Sequence, residues 1–182
     1  MDFSEIENNV KRLKDEISAG NAYGEAVTLV AATKTQSAEA INAAIRAGVD
    51  AVAENKVQEF REKFEAVHGC PQHFIGHLQT NKVKYVVGRA GLIHSVDSLH
   101  LAEAIEKECE KKDVHANILV EVNVAGEDSK FGIKPEETES LIRQIAKLPR
   151  VHVRGLMTIA PFVEKPEENR PIFHKLHKLL VD

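Results

Sequence analysis

The sequence has no tryptophan, only two tyrosines and two cysteines, and no excess of positive charge. Each shortage removes a class of function. With aromatics at 5% and a formal net charge of −4, the chain lacks the stacking rings and the basic surface that a phosphate backbone demands, so nucleic acid is not an expected partner. Cys70 and Cys109 are not spaced as a CxxC pair, which predicts reduced thiols in a cytoplasmic protein and no catalytic cysteine. No apolar run approaches the roughly 20 residues that span a bilayer, and residues 1–7 are acidic, so the expectation is a soluble, unexported protein without a membrane partner. Histidine is plentiful, but neither His73 with His77 nor His174 with His177 has a third ligand positioned by sequence. Lys175 and Lys178 interleave the second pair, and no metal site is expected.

What is present is a rhythm. Phe3, Ile6, Val10, Leu13 and Ile17 recur at steps of three and four, and Ser4 and Glu7 are spaced as a capping box, predicting a helix over about residues 4–19. Short apolar runs then predict strands at 27–33, 49–53, 73–78, 91–96, 117–124 and 153–159. Between them lie helical stripes: Ile41/Ala44/Ile45, Val57/Phe60/Phe64/Val67, Leu101/Ala102/Ile105/Cys109 and Leu141/Ile142/Ile145/Leu148. Gly48 reads as a helix stop and Pro135 as a first-turn proline. Strands joined by helices imply parallel pairing, because the chain must cross back to the same end of the sheet. A length of 182 residues fits one α/β domain, 1–182.

Polar residues cluster where such a fold places chemistry. The C-terminal ends of the expected strands carry Lys34, Glu54-Asn55, His77 with Gln79, Asp97-Ser98, Asn123, and Met157-Thr158. Lys34 is the most informative of these. An amine where a buried strand gives way to a loop is subject to desolvation, which favours the neutral, nucleophilic form that condenses with an aldehyde. Its plainer reading is a strand-end lysine whose stem is buried and whose charge reaches water. Asp97-Ser98, ahead of a helical stripe, reads as an N-cap.

Several segments in this order carry a family resemblance. They are Val30-Ala31-Ala32-Thr33-Lys34-Thr35, Ala53-Glu54-Asn55-Lys56-Val57-Gln58-Glu59 and His73-Phe74-Ile75-Gly76-His77-Leu78-Gln79-Thr80-Asn81-Lys82. The series continues with His94-Ser95-Val96-Asp97-Ser98, Val122-Asn123-Val124, Glu127-Asp128-Ser129-Lys130-Phe131-Gly132 and Gly155-Leu156-Met157-Thr158-Ile159. Over almost its whole length the chain resembles the pyridoxal 5′-phosphate (PLP) homeostasis proteins, the YggS/PROSC family. The resemblance implies a TIM-type (β/α) barrel similar to the alanine racemase N-terminal domain. It implies PLP as cofactor, held as a Schiff base on Lys34, with Asn55 beside the ring, Met157 and Thr158 lining the site, and His77 among the cofactor-binding positions. Gln79 and Lys130 are motif positions without an assigned role. Lys130 reads equally as a second amine and as a surface charge.

The function so implied is non-catalytic: binding PLP within the cell and delivering it to PLP-dependent enzymes. The alternative is an active PLP-dependent enzyme of the same fold type, a racemase or decarboxylase. Racemisation needs a second acid/base on the opposite face of the cofactor, a tyrosine in the racemases this barrel resembles, and neither Tyr23 nor Tyr85 stands at an expected strand end. A PLP-free Schiff-base aldolase would use similar lysine chemistry. Two departures stand out. Ala53 and Lys56 flank Glu54-Asn55 where the family pattern reads Gly-Glu-Asn-Tyr, and only six of the eight βα units of a barrel are legible. The family's phosphate-binding segments match nothing in this sequence, so the reading is of a fragment or truncated gene product lacking the C-terminal part of the barrel. Pairing of two copies across open sheet edges is the other option.

Overall fold

The structure, a computed structural model, describes residues 2–127 and 130–181, so Asp128 and Ser129 of the Glu127–Gly132 motif lie outside the described residues, as do Met1 and Asp182. The chain forms two compact units, residues 1–75 and 76–182. Each holds three parallel strands in chain order, as strand–helix alternation predicts.

In the first unit, helix α1 (Ser4–Ile17) is followed by strand β1 (Val30–Ala32), helix α2 (Ala38–Arg46), strand β2 (Ala51–Glu54), helix α3 (Val57–Lys63) and strand β3 (Gln72–Phe74). Strand β2 is central, with Ala31 beside Val52 and Val52 beside Gln72. The stripes bury as their spacing requires: Val10 of α1 and Ile41 and Ala44 of α2 close on Val49, Val52 and Val67. Each fully buried aliphatic side chain contributes about 1.5–3 kcal/mol relative to exposure. Ser37 starts α2 by accepting the Ala40 N–H, and Gly48, at φ 111°, turns the chain out of it.

Two local expectations fail. The Ser4–Glu7 capping box does not form: Ser4 already lies inside the helix, and the Asp2 carboxylate accepts its N–H at 2.9 Å instead. The Val57–Val67 stripe does not stay α-helical. After Lys63 the backbone tightens into a 3₁₀ turn at Phe64–Ala66, which lets Phe60 meet both Phe64 and Phe74, the latter edge-on at 6.0 Å.

The second unit begins with a 3₁₀ turn at Thr80–Tyr85, where the barrel pattern calls for a full helix, and continues with strand β4 (Ile93–Val96) and helix α4 (Leu99–Lys112). Strand β5 (Ala116–Glu121), helix α5 (Thr138–Ile145), strand β6 (Val151–Met157) and helix α6 (Arg170–Val181) complete it. Leu101, Ala102, Ile105 and Cys109 all bury on α4, and Leu141 and Ile145 on α5. Strand β5 stops earlier than its apolar run suggests, because beyond Glu121 only an isolated bridge joins Val122 to Ile133. A register shift opposite Ile118 and Leu119 puts Gly155 beside Leu119 and Met157 beside Glu121. No described helix is long and apolar enough to cross a membrane.

Candidate functional site

The strand ends of the first unit are organised by one buried ion pair. Thr33, just past β1, donates its hydroxyl to Glu54 Oε1 at 2.8 Å and its N–H to the Ala53 carbonyl at 2.9 Å. From the end of α3, the Lys63 ammonium reaches Glu54 Oε1 at 2.8 Å, Glu59 Oε2 at 2.8 Å and the Thr33 carbonyl at 3.2 Å. Burial opposes that charge, but the hydrogen bonds and charges of Glu54 and Glu59 together outweigh it and raise the Lys63 pKa. Glu59 is held below the usual carboxylate range by Lys63 and by the Thr35 N–H, which it accepts at 2.8 Å. Thr35 has φ 65°, a left-handed conformation that β-branched residues rarely adopt. The carboxylate anchored by Lys63 therefore also fixes the turn directly after Lys34.

Lys34 itself is exposed and makes no hydrogen bond or ion pair with any described residue. This corrects the expectation of a desolvated lysine. Strand β1 ends at Ala32 and burial ends at Thr33, so the amine stands in water. Lys63 pairs with Glu54 Oε1 and Glu59 Oε2, while Glu54 Oε2 stays buried without a partner among the described residues. Asn55 is also exposed and without a partner among the described residues. Lys34 and Asn55 each follow one member of the bonded Thr33–Glu54 pair, so the fold brings these two predicted residues to neighbouring strand ends.

In the second unit, the His77 ring stacks on Phe131 with centroids 4.0 Å apart and planes 12° from parallel, beside a half-exposed Phe131. The Thr158 hydroxyl donates to the Val122 carbonyl at 2.7 Å, while the Val122 N–H donates to the Met157 carbonyl at 2.8 Å. Its proton is thus held by the backbone, and only its lone pairs face other groups. Asn123 folds onto its own loop, accepting the Gly126 and Glu127 N–H groups and donating to the Glu127 carbonyl. Gly132 is required here: its φ is 104°, and a Cβ would lie 2.8 Å from the Asn123 nitrogen. Ser98 caps α4 through the Leu101 N–H, as expected. Gln79 and Lys130 are exposed.

The sequence reading passed over two residues. Lys63 looked like one more helix charge, and only the tertiary contact with Glu54 shows otherwise. Glu121 sits within the apolar run Ile118–Val122; it is 4% exposed, and its carboxyl makes no hydrogen bond or ion pair with a described residue. Burial and the neighbouring Asp97 push its pKa up to about 7. A carboxylate inside an apolar strand was the available signal. Asp97, read with Ser98 as a cap, adds a like charge near this group. The thiols are poor nucleophiles, since burial raises the pKa of both and that of Cys109 to about 11. Among the described residues no group of three or more His, Cys, Asp or Glu could hold a metal ion.

Comparison with known proteins adds the context these strand ends need. The family model for the alanine racemase N-terminal domain matches residues 1–180. A protein of Aquifex aeolicus named pyridoxal phosphate homeostasis protein is 46% identical over 153 residues, covering 83% of this chain and 67% of its own length. Among solved structures, a Bifidobacterium adolescentis protein described as unknown has 35% identity and a TM-score of 0.88, the match covering 97% of this chain and 78% of that one. PipY of Synechococcus elongatus, solved with PLP bound, has 28% identity and a TM-score of 0.78 over 94% of this chain and 79% of its own. With its alternating parallel strands and helices and its matching order of motifs, the chain belongs to the pyridoxal phosphate homeostasis protein family, built on the TIM-type barrel of the alanine racemase N-terminal domain.

Proposed function

We propose that this chain binds PLP through the amine of Lys34 and serves PLP homeostasis without catalytic turnover, handing the cofactor to PLP-dependent enzymes. The carrying observation is the free Lys34 amine on a turn fixed by the Thr35–Glu59–Lys63 contacts. PLP would supply an aldehyde for that amine to condense with. The donor set fits: Lys34 has no counter-ion among the described residues to displace, and Asn55 offers an unengaged amide at the neighbouring strand end. Names of relatives and the PLP-bound PipY structure support the reading.

An enzyme would need a second proton-transfer group facing the cofactor. Tyr23 lies in the loop ahead of β1 and Tyr85 closes the 3₁₀ turn ahead of β4, so neither follows a strand's C-terminal end, where this fold type presents its reactive groups. The test is covalent capture. Borohydride reduction after PLP addition should place a single adduct on Lys34, found by peptide mass, and Lys34→Ala should abolish it. An adduct on Lys130 or Lys82 would overturn the assignment. Asn55→Ala should keep the adduct while changing the visible spectrum or the release rate. Racemase or decarboxylase turnover on amino acids would overturn the non-catalytic part.

A further inference from the structure

The turn that carries Lys34 is held in a conformation its own residues resist. The Gln36 N–H donates to the Thr33 carbonyl at 3.1 Å, so Lys34 and Thr35 are the two central residues of a β-turn. Thr35 has φ 65° and Lys34 is not in the positive-φ region, which marks a type II turn, whose third position favours glycine or asparagine. A β-branched threonine there is strained, and such strain persists only where the surroundings over-determine it. Two side chains of α3, one helical turn apart, do so. Glu59 Oε2 accepts the Thr35 N–H at 2.8 Å, Lys63 Nζ donates to the Thr33 carbonyl at 3.2 Å, and the two side chains join at 2.8 Å. One ion pair therefore grips the residue before Lys34 and the residue after it. Lys34, between them, makes no hydrogen bond or ion pair with a described residue. All of these residues belong to the first unit. A glycine at position 35 would take the same φ without any clamp.

We propose that Glu59 is a positioning residue for the Lys34 amine: by holding Thr35 in the left-handed region it fixes the direction in which Lys34 leaves the strand end, and so sets how readily the amine condenses with PLP. This rests on the PLP-binding reading above. In that condensation the ammonium first gives one proton to solvent. The nitrogen then bonds to the aldehyde carbon, and its two remaining hydrogens leave with the aldehyde oxygen as water, so no other reactant is needed. The flexible four-carbon lysine stem absorbs part of any misdirection. The expected effect of releasing the turn is therefore about tenfold, less than the roughly hundredfold that misplacing a rigid group can cost.

Two ligands separate positioning from collapse of the site: PLP, and pyridoxine 5′-phosphate, which carries an alcohol in place of the aldehyde and cannot bond to Lys34. Each is titrated into the whole chain, with folding checked by circular dichroism. Glu59→Ala should bind PLP about tenfold more weakly and form the borohydride-trapped adduct about tenfold more slowly, while pyridoxine 5′-phosphate binds within about twofold of the wild type. Glu59→Ala combined with Thr35→Gly should recover most of the loss, because glycine takes the positive φ unaided. Thr35→Pro forbids that φ and removes the N–H but leaves the Glu59–Lys63 pair intact, so it should reproduce the PLP loss even if Glu59→Ala does not fold. Wild-type PLP affinity and adduct rate in Glu59→Ala or Thr35→Pro, equal losses for the two ligands, or a loss that Thr35→Gly does not reverse would overturn the proposal. A wild type that forms no adduct on Lys34 would instead overturn the function on which it rests.

Discussion

Glu54 and Glu121 are the same residue at the same place in their strands, the last position of β2 and of β5, and both are buried, at 5% and 4% exposure. Their surroundings differ. Glu54 has a cation, Lys63, delivered by the helix that follows its strand, and a hydroxyl from Thr33. Glu121 has no cation among the described residues and has Asp97 nearby. The first carboxylate is a structural anchor, tying Thr33 and Lys63 together through Oε1. The second is held ready to keep a proton. Burial alone therefore does not assign a role to an acidic residue at a strand end; the partner does.

The largest expected effect breaks the anchor. Lys63→Met should cost about 3–5 kcal/mol, because it leaves Glu54 buried and unpaired and releases Glu59 from the Thr35 turn. Urea unfolding measures this, and a loss under about 1 kcal/mol would show that water can solvate Glu54 and that the pair anchors nothing.

Glu121→Gln sharpens the contrast, since removing the charge should stabilise the second unit. A folded-state pKa raised to about 7 means that the native protein keeps a proton which the unfolded chain releases near its ordinary value. Stability is then fully present below the ordinary carboxylate pKa, declines as pH rises through 7, and is level above. The difference amounts to about 3 kcal/mol, so the variant should gain up to that amount at pH 8 and little at pH 4. Equal melting shifts at the two pH values would contradict an uncharged native Glu121.

Smaller effects concern a loop glycine, two helix caps and Lys34. Gly132→Ala should cost about 1–3 kcal/mol, from its positive φ and the close Asn123 backbone, and should disturb the Phe131 ring on His77. Ser37→Ala and Ser98→Ala, one N-cap in each unit, should each cost about 1 kcal/mol. Lys34→Ala, at an exposed and unpaired position, should change stability by less than about 0.5 kcal/mol while removing the reducible adduct. A large destabilisation would mean that Lys34 is a structural lysine after all.

Much of the architecture was legible because periodicity reports burial. The Leu101/Ala102/Ile105/Cys109 stripe buries without exception, and the six strands fall within a few residues of their apolar runs. Ends were less legible: β1 starts at Val30 rather than residue 27, and β5 yields at Glu121, because pairing with a neighbouring strand decides where a strand stops. Of the positions expected at the cofactor, the motifs gave Lys34 and Asn55 as strand-end residues, yet a sequence pattern could not show that Lys34 is exposed. Exposure depends on how far β1 remains paired with β2.

By itself, the sequence determined the alternation of strands and helices, the cap at Ser98 and the family to which the chain belongs, because these depend on local spacing and on runs of residue types. Only the tertiary structure decided which charges meet. Lys63 finds Glu54 nine residues before it, Thr33 finds Glu54 across two strands, and Glu121 finds an acid where Glu54 found a base. The strength of a charge interaction depends on distance and on the water excluded around it, and both are properties of packing that no linear spacing records.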